Sequence, residues 1–225
     1  MKRLARGDIG RLFSIGALVL LTYLLWGTWA TWPVQLFVVF VHETGHAIAT
    51  LLTGGEVEGM TINRWLGGQT YARGGIPLIT LQAGYAASVG FGAAMVVAAA
   101  RPKTARGSLA GLAVLTIVCG LAFARPVVGL ALPFAMGTGL ALAWIARDAS
   151  EQTVRWVLIY LATVSALYSL VDIREDVLHL SGGGRVTDAT LLEARTGIPA
   201  ILWGLGWAVG AILLLGFALR RALRR

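Results

Sequence analysis

Charge is what this chain has least of. Only 13% of its 225 residues are Asp, Glu, Lys or Arg, 57% are hydrophobic, and the mean hydropathy is +0.75. A soluble domain of this length carries roughly 25% charged residues, so an ordinary water-soluble globule is excluded and an integral membrane protein is indicated. Cysteine is nearly absent: Cys119 stands alone inside an apolar run, which excludes a disulfide framework and reads as packing. Internal repeats, coiled-coil heptads and low-complexity tails are also missing, and no soluble domain is appended. One membrane domain over residues 1–225 is therefore expected. The net charge of +8 would suit a nucleic acid. The basic residues, however, lie at the ends and between apolar runs, as in RPKTARG (101–107) and the terminal RRALRR, where anionic lipid headgroups meet them. The lipid bilayer, with no nucleic acid, is the partner this pattern predicts.

What the chain has in abundance is apolar runs. At about 20 residues per crossing, they divide it into seven candidate spans: 12–30, 34–53, 76–100, 108–124, 127–146, 153–172 and 198–219. The expected fold is all-α, a polytopic transmembrane helix bundle of six or seven spans. The fourth run is the shortest, and Arg125-Pro126 separates it from the fifth, so this pair could form a tight hairpin or include a segment that only dips into the bilayer. Lysine and arginine do not orient the bundle, since seven alternating spans place ten basic residues on the N-terminal side and nine on the other. The basic N-terminus before the first run has the charge order of a signal sequence. Trp26, Trp29 and Trp32 at the end of that run suit a membrane interface instead, and predict that it is retained.

Two connections are more than loops. Between Gly54 and Gly75, glycine pairs bound two segments of strand-like composition, Val57–Trp65 and Gln69–Ala72, so a small β-hairpin is predicted. Between Ile173 and Gly197, TDATLLEARTG predicts a short helix beginning at Thr187 or Asp188.

The second run contains FVVFVHETGHAIATLL. Polar side chains are expensive in lipid and are kept for a job. His42 and His46 are four residues apart, so on a helix their imidazoles project one turn apart from one face, close enough to share a metal ion, with Glu43 between them. This is the HExxH arrangement, in which the histidines hold zinc and the glutamate activates the water bound to it. With three histidines and six glutamates in the chain, a chance match is of order one in a thousand. Histidines that merely hydrogen-bond neighbouring helices would leave Glu43 unexplained. A metal carrier would need ligands but has no use for that carboxylate.

HETGH in the second run, the glycine-bounded hairpin after it and AGYAASVGFGAA in the third together resemble the site-2 protease family, zinc metallopeptidases that cut within the membrane. SLVDIRED and TDATLLEARTGIPAILW look like its compact bacterial branch, which lacks a PDZ domain. The resemblance implies a zinc endopeptidase in a bacterial cell membrane, multi-pass, acting on a peptide bond in or near a transmembrane segment of a membrane protein substrate. Other readings are a metal carrier using the same site, or a family member that does not cut.

Catalytic zinc takes three protein ligands. Better-known site-2 proteases supply an aspartate followed by glycine, and no Asp-Gly occurs here. The third ligand is therefore argued from the residues present. Asp172 is the first choice. It is the deepest carboxylate of a polar stripe, Ser165, Ser169, Asp172 and Asp176, that enters the membrane from the end of the sixth run. Asp188 is the alternative, though its position also suits a helix start. Asp176 and His179 lie farther out. Gln35 shares a helix face with His42, where it could support the site or simply sit at an interface. Gly84, Ser88 and Gly92 form a small-residue face on which another helix can approach.

Overall fold

The computed structural model describes residues 6–178 and 186–223; within these, the side chains of 6–12, 102–103, 170–178 and 223 lie outside the description. The chain is mostly helical: α1 (Arg6–Leu24), α2 (Trp32–Leu52), α3 (Pro77–Ala99), α4 (Pro102–Phe123), α5 (Ala131–Asp148), α6 (Glu151–Leu178), α7 (Asp188–Thr196) and α8 (Ala200–Leu223). A single hairpin, β1 (Glu56–Ile62) and β2 (Gly68–Arg73), separates α2 from α3. Each apolar run thus contains a helix, and the two connections hold the hairpin and the short helix α7. Among the described residues, four helices are long and apolar enough to cross a membrane: Trp32–Leu52, Pro77–Ala99, Thr104–Phe123 and Ala200–Ala222. The fourth run, the shortest by sequence, is one of these four.

Burial ranks the helices. The most apolar stretch of α2 is 67% buried and that of α8 only 11%, so α2 is the central post and α8 the peripheral one. Proline within the first turn starts α2, α3 and α4, where the missing N–H has no helical partner to lose. Leu36, Phe37, Val38, Val39 and Phe40 of α2 are all buried, which is the all-round apolarity expected of a helix enclosed by others. Two arginines tie off helix ends. Arg106 donates to the carbonyls of Ala146 and Arg147 at the end of α5 and to Ala149 just beyond, and Arg155 donates to Ala99 at the end of α3. Both place a cation where the helix dipole is negative.

Close helix approach depends on glycine. A Cβ on Gly45 would stand 2.5 Å from the carbonyl oxygen of Ala83 and from Cβ of Ala87, so α2 and α3 meet at backbone distance. The α4–α5 pair is built the same way, with Gly120 against Ala135 and Gly139 against Ile117, making the tight helical hairpin that the sequence suggests.

The β-hairpin folds back along α2. Its stem is fastened at the C-terminal end of that helix, where Thr53 Oγ1 accepts from Ile76 N at 3.1 Å and Gly74 and Gly75 take left-handed φ of 74° and 75° to turn the chain into α3. Its tip is fastened at the N-terminal end, where Trp32 Nε1 donates to Arg64 O at 2.8 Å. Asn63 organises that tip by accepting from the backbone N–H of Trp65 and Gly67. The outer edge of β1 is occupied, since Arg125 N donates to Met60 O at 3.1 Å and Met60 bridges to Ala124. The outer edge of β2 has no strand beside it among the described residues.

Gly45→Ala is expected to lower the thermal midpoint of the detergent-solubilised protein, because overpacking a close crossing typically costs about 1–3 kcal/mol. Gly90→Ala, where a Cβ meets nothing within 4 Å, should leave it unchanged or raise it. Equal midpoints for the two variants would contradict the crossing.

Candidate metal centre

The site is assembled from three helices and the hairpin. α2 presents His42, Glu43 and His46 around Gly45, at the crossing with α3, and the two imidazole rings stand 4.7 Å apart, centre to centre. α3 supplies the support behind them. The carbonyl oxygen of Thr80, an acceptor only, lies 2.7 Å from His46 Nδ1, so Nδ1 donates to it and Nε2 is the nitrogen that faces the site. Tyr85, buried at 2% exposure, meets His42 edge-on at 5.1 Å and stacks on Trp207 of α8 at 4.1 Å, which fixes the His42 ring from the far side.

α7 brings the third donor. Oδ2 of Asp188 lies 3.1 Å from His42 Nε2 and 3.1 Å from His46 Nε2. The helix-start role that competes for this aspartate is taken by its neighbour: Thr187 caps α7, accepting from Thr190 N while Thr190 Oγ1 accepts from Thr187 N. Ala189 and Leu192, both fully buried, seat the helix against α3 and α8. Asp188, Leu191 and Arg195, on the adjoining face, line the cavity. Burial alone would raise the Asp188 carboxyl. Positive charge at the facing imidazole nitrogens, carried by protons that stand where a cation would, outweighs it and holds the group far below the usual carboxylate range.

His42, His46 and Asp188 form the one group of potential metal ligands among the described residues, with donor atoms all within 4.8 Å of one another. Two imidazoles and one carboxylate are a donor set that small divalent ions take with an open fourth position. Donors bound at about 2.0–2.1 Å in a tetrahedron stand roughly 3.3 Å apart, close to the 3.1 Å separations seen here. Gly84 supplies the room. A Cβ at that position would press on His42 Nε2 and lie 2.5 Å from His46 Nε2, in the space an ion between the two nitrogens needs. The residues therefore fit a metal ion.

Glu43 lies beside this group with 6% exposure. Thr70 of β2 donates to its Oε2 at 2.7 Å, and Gly68 allows the strand to press against the carboxylate. All of these residues line one cavity of about 540 Å³, whose wall is completed by Leu81, Tyr85, Tyr168 and the cavity-facing part of β2.

Of the two carboxylates weighed from the sequence, Asp188 is the one that meets both imidazoles among the described residues. The side chains of Asp172 and Asp176 lie outside the described residues, and His179 lies outside them entirely. Gln35 turns away from the site, donating to Thr31 Oγ1 at 2.8 Å one turn farther from the histidines. Ser88 and Gly92 belong to helix packing, and Gly92 meets Ala162 and Ser165 of α6. Thr70, Thr80 and Tyr85 carry no motif by which sequence alone could single them out. Gly84 is legible only as a small residue.

The Peptidase M50B-like family model matches residues 15–218 of this sequence. The chain belongs to that family. No curated protein and no solved structure matches it. The match takes in α2, the hairpin, α3 and α7, and so every residue of the site. Membership in a peptidase family gives a metal group next to a buried glutamate a chemical purpose, and with the four apolar helices it identifies an integral membrane protein.

Asp188→Ala is expected to weaken metal binding by more than the 10–100-fold that loss of an outer-shell partner costs. Gly84→Ala should weaken it as well, by filling the space between the imidazoles. Elemental analysis and chelator competition at matched folding check both. Full occupancy in Asp188→Ala would remove α7 from the site.

Proposed function

We propose that this protein is a multi-pass intramembrane zinc endopeptidase that hydrolyses a peptide bond in or near a transmembrane segment of a membrane protein substrate. The observation that carries the reading is that Asp188 meets both imidazoles in a cavity that also holds a buried glutamate from the same helix turn. A carrier needs the first feature but not the second. On this reading the chain crosses the bilayer six or seven times, with two or all three of α1, α5 and α6 adding to the four clearest spans.

His42, His46 and Asp188 would hold zinc, which when bound would supply the Lewis acidity that polarises a scissile carbonyl and makes water a nucleophile near neutral pH. Glu43 takes a proton from the attacking water and returns one to the leaving amine. Thr80 accepts from His46 Nδ1, so the ring presents Nε2 to the site. Tyr85 holds the His42 ring edge-on.

The hairpin addresses the difficulty peculiar to this substrate. A peptide bond inside a helix is shielded by its own hydrogen bonds, and it must be drawn out as an extended strand before water can reach it. Unpaired backbone groups at membrane depth are tolerated only where they are buried in protein or line a cavity. The hairpin runs back along α2, and the β2 side of it borders the 540 Å³ cavity that contains the site. An extended substrate segment would pair with this edge by strand addition.

Glu43→Gln is expected to keep its zinc and to cut a co-reconstituted single-span membrane protein at least ~100-fold more slowly than wild type. Undiminished cleavage would remove Glu43 as the base. A wild type that moves zinc across liposomes and cuts nothing would replace the protease with a carrier.

A further inference from the structure

One strand engages both oxygens of the Glu43 carboxylate. Thr70 Oγ1 donates to Oε2 at 2.7 Å and stands 3.0 Å from the main-chain oxygen of the same residue. On the other side, a Cβ at Gly68 would come within 2.5 Å of Oε1 and 2.6 Å of Cγ, so the bare backbone of β2 sits flush against the carboxylate. Side chains two apart on a strand share a face, which is why residues 68 and 70 address the same glutamate. Among the described residues, the Thr70 hydroxyl is the hydrogen-bond donor that the Glu43 side chain has.

From this geometry we infer that Thr70 is the positioning residue of Glu43, and that β2 sets the catalytic base as well as offering an edge to the substrate. The inference rests on the protease reading. The last torsion of a glutamate is broad and two-fold, so an untethered carboxylate samples orientations in which neither oxygen faces the water. A hydrogen bond to Oε2 fixes the carboxylate plane and leaves the remaining lone pairs of the carboxylate to take the proton. The glycine at 68 lets the strand lie close enough for that bond without displacing Oε1. Substrate pairing on β2 would then stiffen the same strand that holds the base, so a correctly seated substrate improves the geometry of its own cleavage.

The test compares Thr70→Val, which keeps the branched shape but removes the hydroxyl, with Thr70→Ser, which keeps the hydroxyl. Both are made in the full-length protein in proteoliposomes with a single-span membrane protein substrate. In Thr70→Val, kcat should fall about 10- to 100-fold, the range set by one hydrogen bond to a charged group, with KM within about twofold and zinc retained. Thr70→Ser should recover most of that loss, and in a Glu43→Gln background Thr70→Val should cost nothing further. Amide exchange in β2 should quicken in the valine variant and not in the serine variant, a readout independent of turnover. Wild-type kcat in Thr70→Val overturns the inference. So does a loss confined to KM, equal impairment in valine and serine variants, or unchanged exchange in β2. A wild type that holds zinc and cuts no membrane substrate overturns the protease reading, and this role with it. An active wild type unaffected by Thr70→Val overturns this role alone.

Discussion

A carboxylate oxygen 3.1 Å from two imidazole nitrogens, one of them on a ring whose proton is held on its other nitrogen, is a set of acceptors turned towards one another. Such an arrangement is stable in an apolar bundle only with a cation or proton among the acceptors. Much of the structure serves this convergence. Gly45 lets α3 reach α2 at backbone distance, and Gly84 leaves the gap between the rings empty. Thr80 orients one ring, and Tyr85, backed by Trp207, sets the other. α7 is seated by Ala189 and Leu192 and capped by Thr187, which leaves Asp188 available to the histidines.

The hairpin answers a second constraint, that strands are not expected beside a membrane-crossing helix unless their backbone is satisfied. β1 meets that requirement on both edges, through β2 on one side and the Ala124–Arg125 segment on the other. Fastening the tip to Trp32 and the stem to Thr53 holds the hairpin along nearly the whole length of α2. Glu43 therefore sits against the start of β2, at Gly68 and Thr70, in a hairpin fastened at both its tip and its stem.

Local signals in the sequence were enough for the helices and for the three motif residues that the structure brings to one cavity. His42, Glu43 and His46 follow from a four-residue spacing on an apolar helix, and the hairpin follows from glycine pairs around strand-like segments. The start of α7 follows from its Thr-Asp pair. The meeting of Asp188 with both imidazoles did not follow. Depth along the polar stripe of the sixth run pointed first to Asp172, whose side chain lies outside the described residues, with Asp188 as the alternative. His42, however, stands at the midpoint of α2 with His46 one turn farther on, and the short helix α7 reaches both. A nine-residue helix does not announce where its buried face will dock, and that docking aims Asp188. Gly84 was legible as small but not as the residue that leaves room for a metal. That role depends on which atoms of another helix it faces.

The most direct test of the account is X-ray absorption at the zinc edge of the purified protein and of Asp188→Asn. The account predicts a four-coordinate ion with two imidazoles and oxygen donors at about 2.0–2.1 Å, and a changed oxygen shell in the variant. A first shell without imidazole scattering, or one identical in wild type and Asp188→Asn, would contradict it.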